Sequence, residues 1–138
     1  MQTYTPPNNQ RLKVLVVEDS ACSQSLAKRF LEKSGYDVGT ASDGFEAIKL
    51  VKERDYDLIL MDMQMPELDG VEATSIIRRR ETHTRRHIPI IALTATEPKD
   101  IVKECIEAGM DGYIVKPINR KAFQRIVETL SEKHFFER

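Results

Sequence analysis

Five residues able to do chemistry stand directly after short apolar runs. Glu18 and Asp19 follow "LKVLVV", Asp62 follows "DLILM", Thr94 follows "IPIIAL" and Lys116 follows "GYIV". A lone aspartate after a strand is a routine turn starter, because its carboxylate accepts hydrogen bonds from nearby backbone. The recurrence at successive runs changes that reading. Three carboxylates brought within a few ångströms repel each other until a cation enters. No His or Cys stands beside them, so the donors are all oxygen, which favours a hard ion, Mg²⁺ or Mn²⁺, over zinc. That ion and the ammonium of Lys116 would balance the acids and draw in a phosphoryl group, to which Thr94 would donate its hydroxyl. Asp62, the central acid, is then placed to act as a nucleophile, as aspartates do in aspartyl-phosphate chemistry.

Only certain elements can bring residues so distant in sequence together. The runs at 12–17, 57–61 and 88–93 are short and almost continuously apolar, the pattern of parallel strands covered on both faces, and "YDVGTA" and "GYIVK" are weaker strand candidates. Between them lie helical periodicities: Cys22, Leu26 and Phe30; Ala47, Ile48 and Val51; Ala73, Ile76 and Ile77; Ile101, Cys105 and Ala108; Phe123, Ile126, Val127 and Leu130. Gly35 and Gly109 stand where left-handed helix ends are wanted, and Asp43 and Asn119 where helix starts need a cap. Strict β/α alternation with short connections predicts an α/β layer sandwich around a parallel sheet. Its strand ends gather on one edge, where ligands bind in such folds.

The 138 residues fit one domain, and a 41% apolar, 31% charged composition is that of an ordinary soluble protein. No apolar run approaches a membrane span. The start, "MQTYTPPNNQR", reads as a loose tail without the pattern of a secretory signal, so a cytoplasmic location is expected. Cys22 and Cys105 lack metal-type spacing and read as two reduced core thiols. The net charge of −1 lacks the basic footprint of a nucleic-acid binder. The stretch Arg78 to Arg86 is expected to connect the third helix to the fourth strand, opposite the reactive edge, as a solvated basic surface or, failing that, a contact for an acidic partner. Met61, Met63 and Met65 read as packing, and Phe135 and Phe136 cap the core or mark a cut from a longer chain.

Four ordered blocks, "VLVVEDS", "LILMDMQMPELDG", "IIALTA" and "YIVKP", resemble the signatures of the response-regulator receiver domain, and the resemblance runs from about Leu12 to Leu130. It implies a flavodoxin-like (βα)5 three-layer sandwich with sheet order 2-1-3-4-5. The implied domain spans 11–133, between tails at 1–10 and 134–138. By the match, Asp62 is the phosphoacceptor, Asp19 and Asp62 bind Mg²⁺ directly, the backbone carbonyl of Gln64 adds a ligand, and Glu18 acts mainly through water. Thr94 and Lys116 match the phosphate-contacting pair, Tyr113 the aromatic switch, and Gln64 and Thr96 the positions that tune dephosphorylation. Lys116–Pro117 matches a bond usually cis. The implied donor is a phosphohistidine on a histidine kinase or phosphotransfer domain. It would dock over Ser20, Met65, Pro66 and the Lys116–Pro117–Ile118 turn. A phosphorylation-dependent partner or second copy would use the face of the fourth helix, fifth strand and fifth helix.

At a finer grain, "CIEAGMDGYIVKPI" and "PIIALTA" resemble receivers of hybrid histidine kinases. Such a domain catalyses its own phosphorylation and dephosphorylation without being a metabolic enzyme, and this chain has no room for a DNA-binding output domain. The alternative is a Mg²⁺-dependent phosphohydrolase with an aspartyl-phosphate intermediate. "MQM" after Asp62 lacks the second acid expected two positions on in the common aspartate-nucleophile phosphatases. No glycine-rich phosphate loop supports a nucleotide binder.

Overall fold

The computed structural model describes residues 12–63, 65, 68–84, 86–95 and 102–132. Both tails, with Phe135 and Phe136, and the positions Gln64, Pro66 and Thr96 lie outside the described residues. The chain alternates β1 (Lys13–Val17), α1 (Ala21–Lys33), β2 (Asp37–Ala41), α2 (Gly44–Glu53), β3 (Leu58–Asp62), α3 (Gly70–Thr84), β4 (Ile90–Thr94), α4 (Val102–Ala108), β5 (Gly112–Val115) and α5 (Arg120–Glu132). All strand pairs are parallel, in the order β2-β1-β3-β4-β5. The flavodoxin-like arrangement implied by the sequence blocks is the one observed.

The continuous apolar runs are explained by burial on two faces. Leu15, Val17, Ile59, Met61, Ile90 and Ala92 join one core with Ala47 of α2, Ala73 and Ile77 of α3 and Cys105 of α4. The alternate residues, Val14, Val16, Leu58, Leu60, Ile91 and Leu93, face a second core with Ala27 and Leu31 of α1 and Phe123 and Val127 of α5. Each strand thus sends odd and even side chains to opposite layers. Phe123 is met edge-on by Tyr36 at 5.3 Å and by Phe30 at 6.3 Å between ring centres.

The punctuation residues act as their types dictate. Gly35 (φ 97°) and Gly109 (φ 100°) end α1 and α4 in the left-handed region. The Asp43 carboxylate accepts from the Glu46 N–H, and Asn119 Oδ1 accepts from the Ala122 N–H. Asp69 and Glu72 form a reciprocal cap at the start of α3.

Three expectations require correction. The Cys22–Leu26–Phe30 line is not the buried face of α1, since Cys22 is exposed, Leu26 is 62% exposed and Phe30 is half-buried. The buried pair is Ala27 and Leu31, one residue further round, because small Ala27 admits the helix closely to the sheet while Leu31 fills the space below. Only Cys105 is therefore a core thiol. Burial, with the charge of Glu104 beside it, holds that thiol above its ordinary pKa.

The basic stretch is the third correction. It begins within α3 rather than after it, and it is not simply solvated. Arg78 is half-buried and donates to the Gly109 carbonyl, Glu81 and Asp111. Asp111 also accepts from the Ile90 N–H and meets His87, while Glu81 accepts from the Ile88 N–H. Arg86 pairs with Asp55 at the surface. Charges that looked like an outward patch thus tie α3 to the starts of β4 and β5.

Gly70 starts α3 directly against the end of β3. A Cβ there would collide with the Asp62 carbonyl oxygen and crowd Met61 and Met63. Gly70→Ala is expected to cost about 1–3 kcal/mol through overpacking. It should also move the Asp62 and Met63 amide resonances. Urea unfolding and ¹⁵N correlation spectra check this, and unchanged stability with an unchanged spectrum would refute it.

Candidate functional site

β1, β3, β4 and β5 all run toward the same edge, so the residues at their carboxyl ends converge there. Asp62 and Thr94 are the last residues of β3 and β4 rather than the first residues beyond them. Glu18 continues from β1, its N–H donating to the Ala41 carbonyl at 3.0 Å, and Asp19 comes next in the chain. Lys116 directly succeeds β5, with its N–H on the Thr94 carbonyl at 2.7 Å. Its bond to Pro117 is cis.

The carboxylates of Glu18, Asp19 and Asp62 have oxygens within 4.8 Å of one another. Glu18 and Asp62 are buried, whereas Asp19 is exposed. Lys116 Nζ lies 2.8 Å from Glu18 Oε2 and 3.4 Å from Asp62 Oδ1. Burial alone would lower the pKa of this ammonium. The hydrogen bond to Glu18 and the charges of Asp62 and Glu18 outweigh it, so Lys116 titrates above its ordinary value and remains a cation. Three formal negative charges against one positive leave an excess that a divalent cation fits. The donors present are oxygens alone, as Mg²⁺ prefers.

A cleft of about 310 Å³ opens over these groups, lined also by Ser20, Ser23, Met63, Thr94 and Ala95. Thr94 is buried at its floor. The candidate residues Glu18, Asp19, Asp62, Thr94 and Lys116 are therefore brought together. Tyr113 stands apart on the neighbouring strand position, paired with Ala92 in register, and is 43% exposed. Gln64 and Thr96, the remaining two, lie outside the described residues.

Beside the cleft runs an apolar groove, also about 310 Å³, walled by Leu26, Ala27, Phe30, Pro117 and Ile118 and sharing Glu18 and Lys116 with it. Leu26 lies at the surface although its spacing from Phe30 mimics a core stripe. Met65, which the resemblance places on the docking rim, is only 8% exposed and belongs to the core with Met61 and Met63, as the packing reading of the three methionines expects. An unbranched, flexible thioether fills irregular gaps in a core.

The protein is thus a small α/β domain with a parallel sheet and an acid cluster with a lysine at its carboxyl edge. The chain belongs to the response regulator receiver domain family, whose pattern it matches over residues 14–128. It is 43% identical over 130 residues to hybrid signal transduction histidine kinase I of Dictyostelium discoideum, a match covering 91% of this chain and 8% of that protein. The receiver domain of the histidine kinase CKI1 from Arabidopsis thaliana, complexed with Mg²⁺ and BeF3⁻, superposes with a TM-score of 0.79 at 36% identity, covering 86% of this chain and 90% of that one. The receiver domain of the sensor histidine kinase PA1611 from Pseudomonas aeruginosa PAO1, with a magnesium ion coordinated in its active site cleft, gives 0.76 at 38% identity, covering 87% and 97%. The chain spans 4–16% of the length of the curated histidine kinases it matches. Among the described residues no helix is long and apolar enough to cross a membrane.

Proposed function

We propose that this receiver domain accepts a phosphoryl group on Asp62 from a phosphohistidine of a histidine kinase or histidine phosphotransfer domain, as one step of a phosphorelay. The observation that carries the reading is the cluster itself: a buried carboxylate at a strand end, two further acids, and a lysine bridging two of them. In the transfer, an Asp62 oxygen attacks phosphorus, the new O–P bond forms as the P–N bond to the partner's imidazole breaks, and the imidazole leaves with the electron pair. Lys116, already charged, exchanges part of its contact with Asp62 for a phosphoryl oxygen. Thr94 donates its hydroxyl to another. Glu18, Asp19, Asp62 and the backbone carbonyl of Gln64 would hold Mg²⁺, or Mn²⁺ in its place, which offsets charge on the transferred group. The close Glu18–Lys116 pair supports an outer role for Glu18, through water. Gln64 and Thr96 set how long the acyl phosphate survives.

The apolar groove beside the cleft suits the partner: Leu26, Pro117 and Ile118 supply contact area while the cleft receives the histidine. The chain is best tested by profiling phosphotransfer from the phosphotransfer domains and kinases of its source organism. Rapid, Mg²⁺-dependent labelling from a phosphotransfer domain is expected. Labelling only by a kinase directly would replace the relay with a single-step receiver, and no labelling from any phosphohistidine would end the proposal.

The same reading makes Thr94 and Tyr113 a switch. In register, Tyr113 sits beside Ala92, and Thr94 lies two residues on, hence on the same face of the sheet. When Thr94 moves toward a phosphoryl group, the space it leaves shifts Tyr113 from its exposed position toward an inward one, reshaping the α4–β5–α5 face for a partner or second copy. The size of the shift is bounded by the free-energy difference the phosphoryl group creates between the two states. Adding a beryllofluoride mimic with Mg²⁺ is expected to move the Tyr113 ring resonances, and a static ring environment would count against the switch.

A further inference from the structure

The peptide group joining Glu18 to Asp19 is gripped by a side chain from the end of the first turn of α1. Gln24 Nε2 lies 3.0 Å from the Glu18 carbonyl oxygen, 3.0 Å from the Ala41 carbonyl oxygen and 3.4 Å from Ser42 Oγ. Both nearest groups are carbonyls, so only the NH₂ end of the amide satisfies them, one hydrogen to each. The need arises from the fold. β1 and β2 stop together at the register pair Val17–Ala41, and the chain turns away into α1 and α2. The Glu18 N–H is satisfied by Ala41, but the Glu18 carbonyl has left the ladder, and Gln24 supplies its donor.

We infer that Gln24 is a positioning residue for the acid pair: by holding the Glu18–Asp19 peptide plane, it fixes where the two carboxylates point relative to Asp62. Rotation of one peptide plane changes the backbone angles on both sides of it, and those two residues carry two of the three clustered acids. Asp19 has the greatest need of such support, because its side chain is exposed and is not held by burial as Glu18 and Asp62 are. The inference rests on the proposed cation site. It adds a residue that touches neither the ion nor the phosphoryl group.

The test is calorimetric titration of the full chain with Mg²⁺ alone, alongside urea unfolding of each variant. Gln24→Leu keeps the bulk and loses both donors. It is expected to weaken Mg²⁺ binding about 10-fold, the usual lower range for a group that orients metal ligands from behind. It should still unfold cooperatively, and the Asp19 amide resonance should move. Ser42→Ala, which deletes only the longer contact, is expected to bind Mg²⁺ as the wild type does. A Gln24→Leu protein that loses stability in urea yet binds Mg²⁺ with unchanged affinity would show a mere helix staple and overturn the inference. Wild-type protein that binds no Mg²⁺ would instead overturn the reading of the acid cluster, and the role of Gln24 with it.

Discussion

Asp62→Asn protein is expected to take up no phosphate from a small acyl-phosphate or phosphoramidate donor under conditions where the wild type becomes phosphorylated. The substitution preserves shape and replaces a carboxylate nucleophile with an amide whose oxygen carries no full charge. The fold should survive it. Lys116 makes its shorter contact with Glu18, at 2.8 Å, and only the longer one with Asp62, so its ammonium keeps a partner. Because the loss is chemical rather than structural, urea unfolding should shift by no more than about 1 kcal/mol. Removing divalent ions from the wild type with a chelator should also prevent uptake, since the excess negative charge of the cluster then faces an anionic donor. Intact-protein mass spectrometry reads both outcomes. Full phosphorylation of the asparagine variant would move the acceptor elsewhere.

The largest stability effect is expected far from that chemistry, at the opposite edge of the sheet. Arg78→Ala should destabilise the domain by about 3 kcal/mol, within the range for breaking an ion pair largely removed from water. Its guanidinium contacts Asp111 at 2.8 Å and Glu81 at 2.6 Å, and the side chains of the trio are 11–15% exposed. Truncation removes the guanidinium from two acids, leaving the imidazole of His87 beside them, and it strips the Gly109 carbonyl at the end of α4 of a donor. Asp111 and Glu81 would still accept from the Ile90 and Ile88 N–H groups, so the starts of β4 and β5 should loosen without the sheet being lost. Arg86→Ala serves as the comparison. Its pair with Asp55 is surface-exposed, with the aspartate 82% accessible, and deletion should cost well under 1 kcal/mol. Urea denaturation of the two variants should therefore separate them clearly. Equal losses would mean that the burial of Arg78 contributes nothing special.

These two regions show how differently sequence and tertiary structure specify the protein. Whatever depends on neighbours along the chain was already legible. The three apolar runs are strands because continuous hydrophobicity over five or six residues suits a strand covered on both faces. Gly35, Gly109, Asp43 and Asn119 act where they stand because a left-handed turn or an N-cap is satisfied within three or four residues. The acid cluster was legible for a related reason: parallel strands deliver their ends to one edge, so order along the chain implies proximity in space.

Other features were decided only by packing. Cys22, Leu26 and Phe30 and the pair Ala27 and Leu31 are both sound helical stripes, and the choice between them belongs to the sheet surface on which α1 lands. Arg78 stands in a run of basic residues that looks uniformly solvated. It turns inward because Asp111, distant in sequence, arrives beside it with β5. Gln24 carries no signal at all, since the carbonyl it serves becomes an orphan only when β1 and β2 end together. Periodicity states that a residue has an apolar or polar side. Which partner meets that side is fixed by contacts between elements remote in sequence, and those exist only in the folded chain.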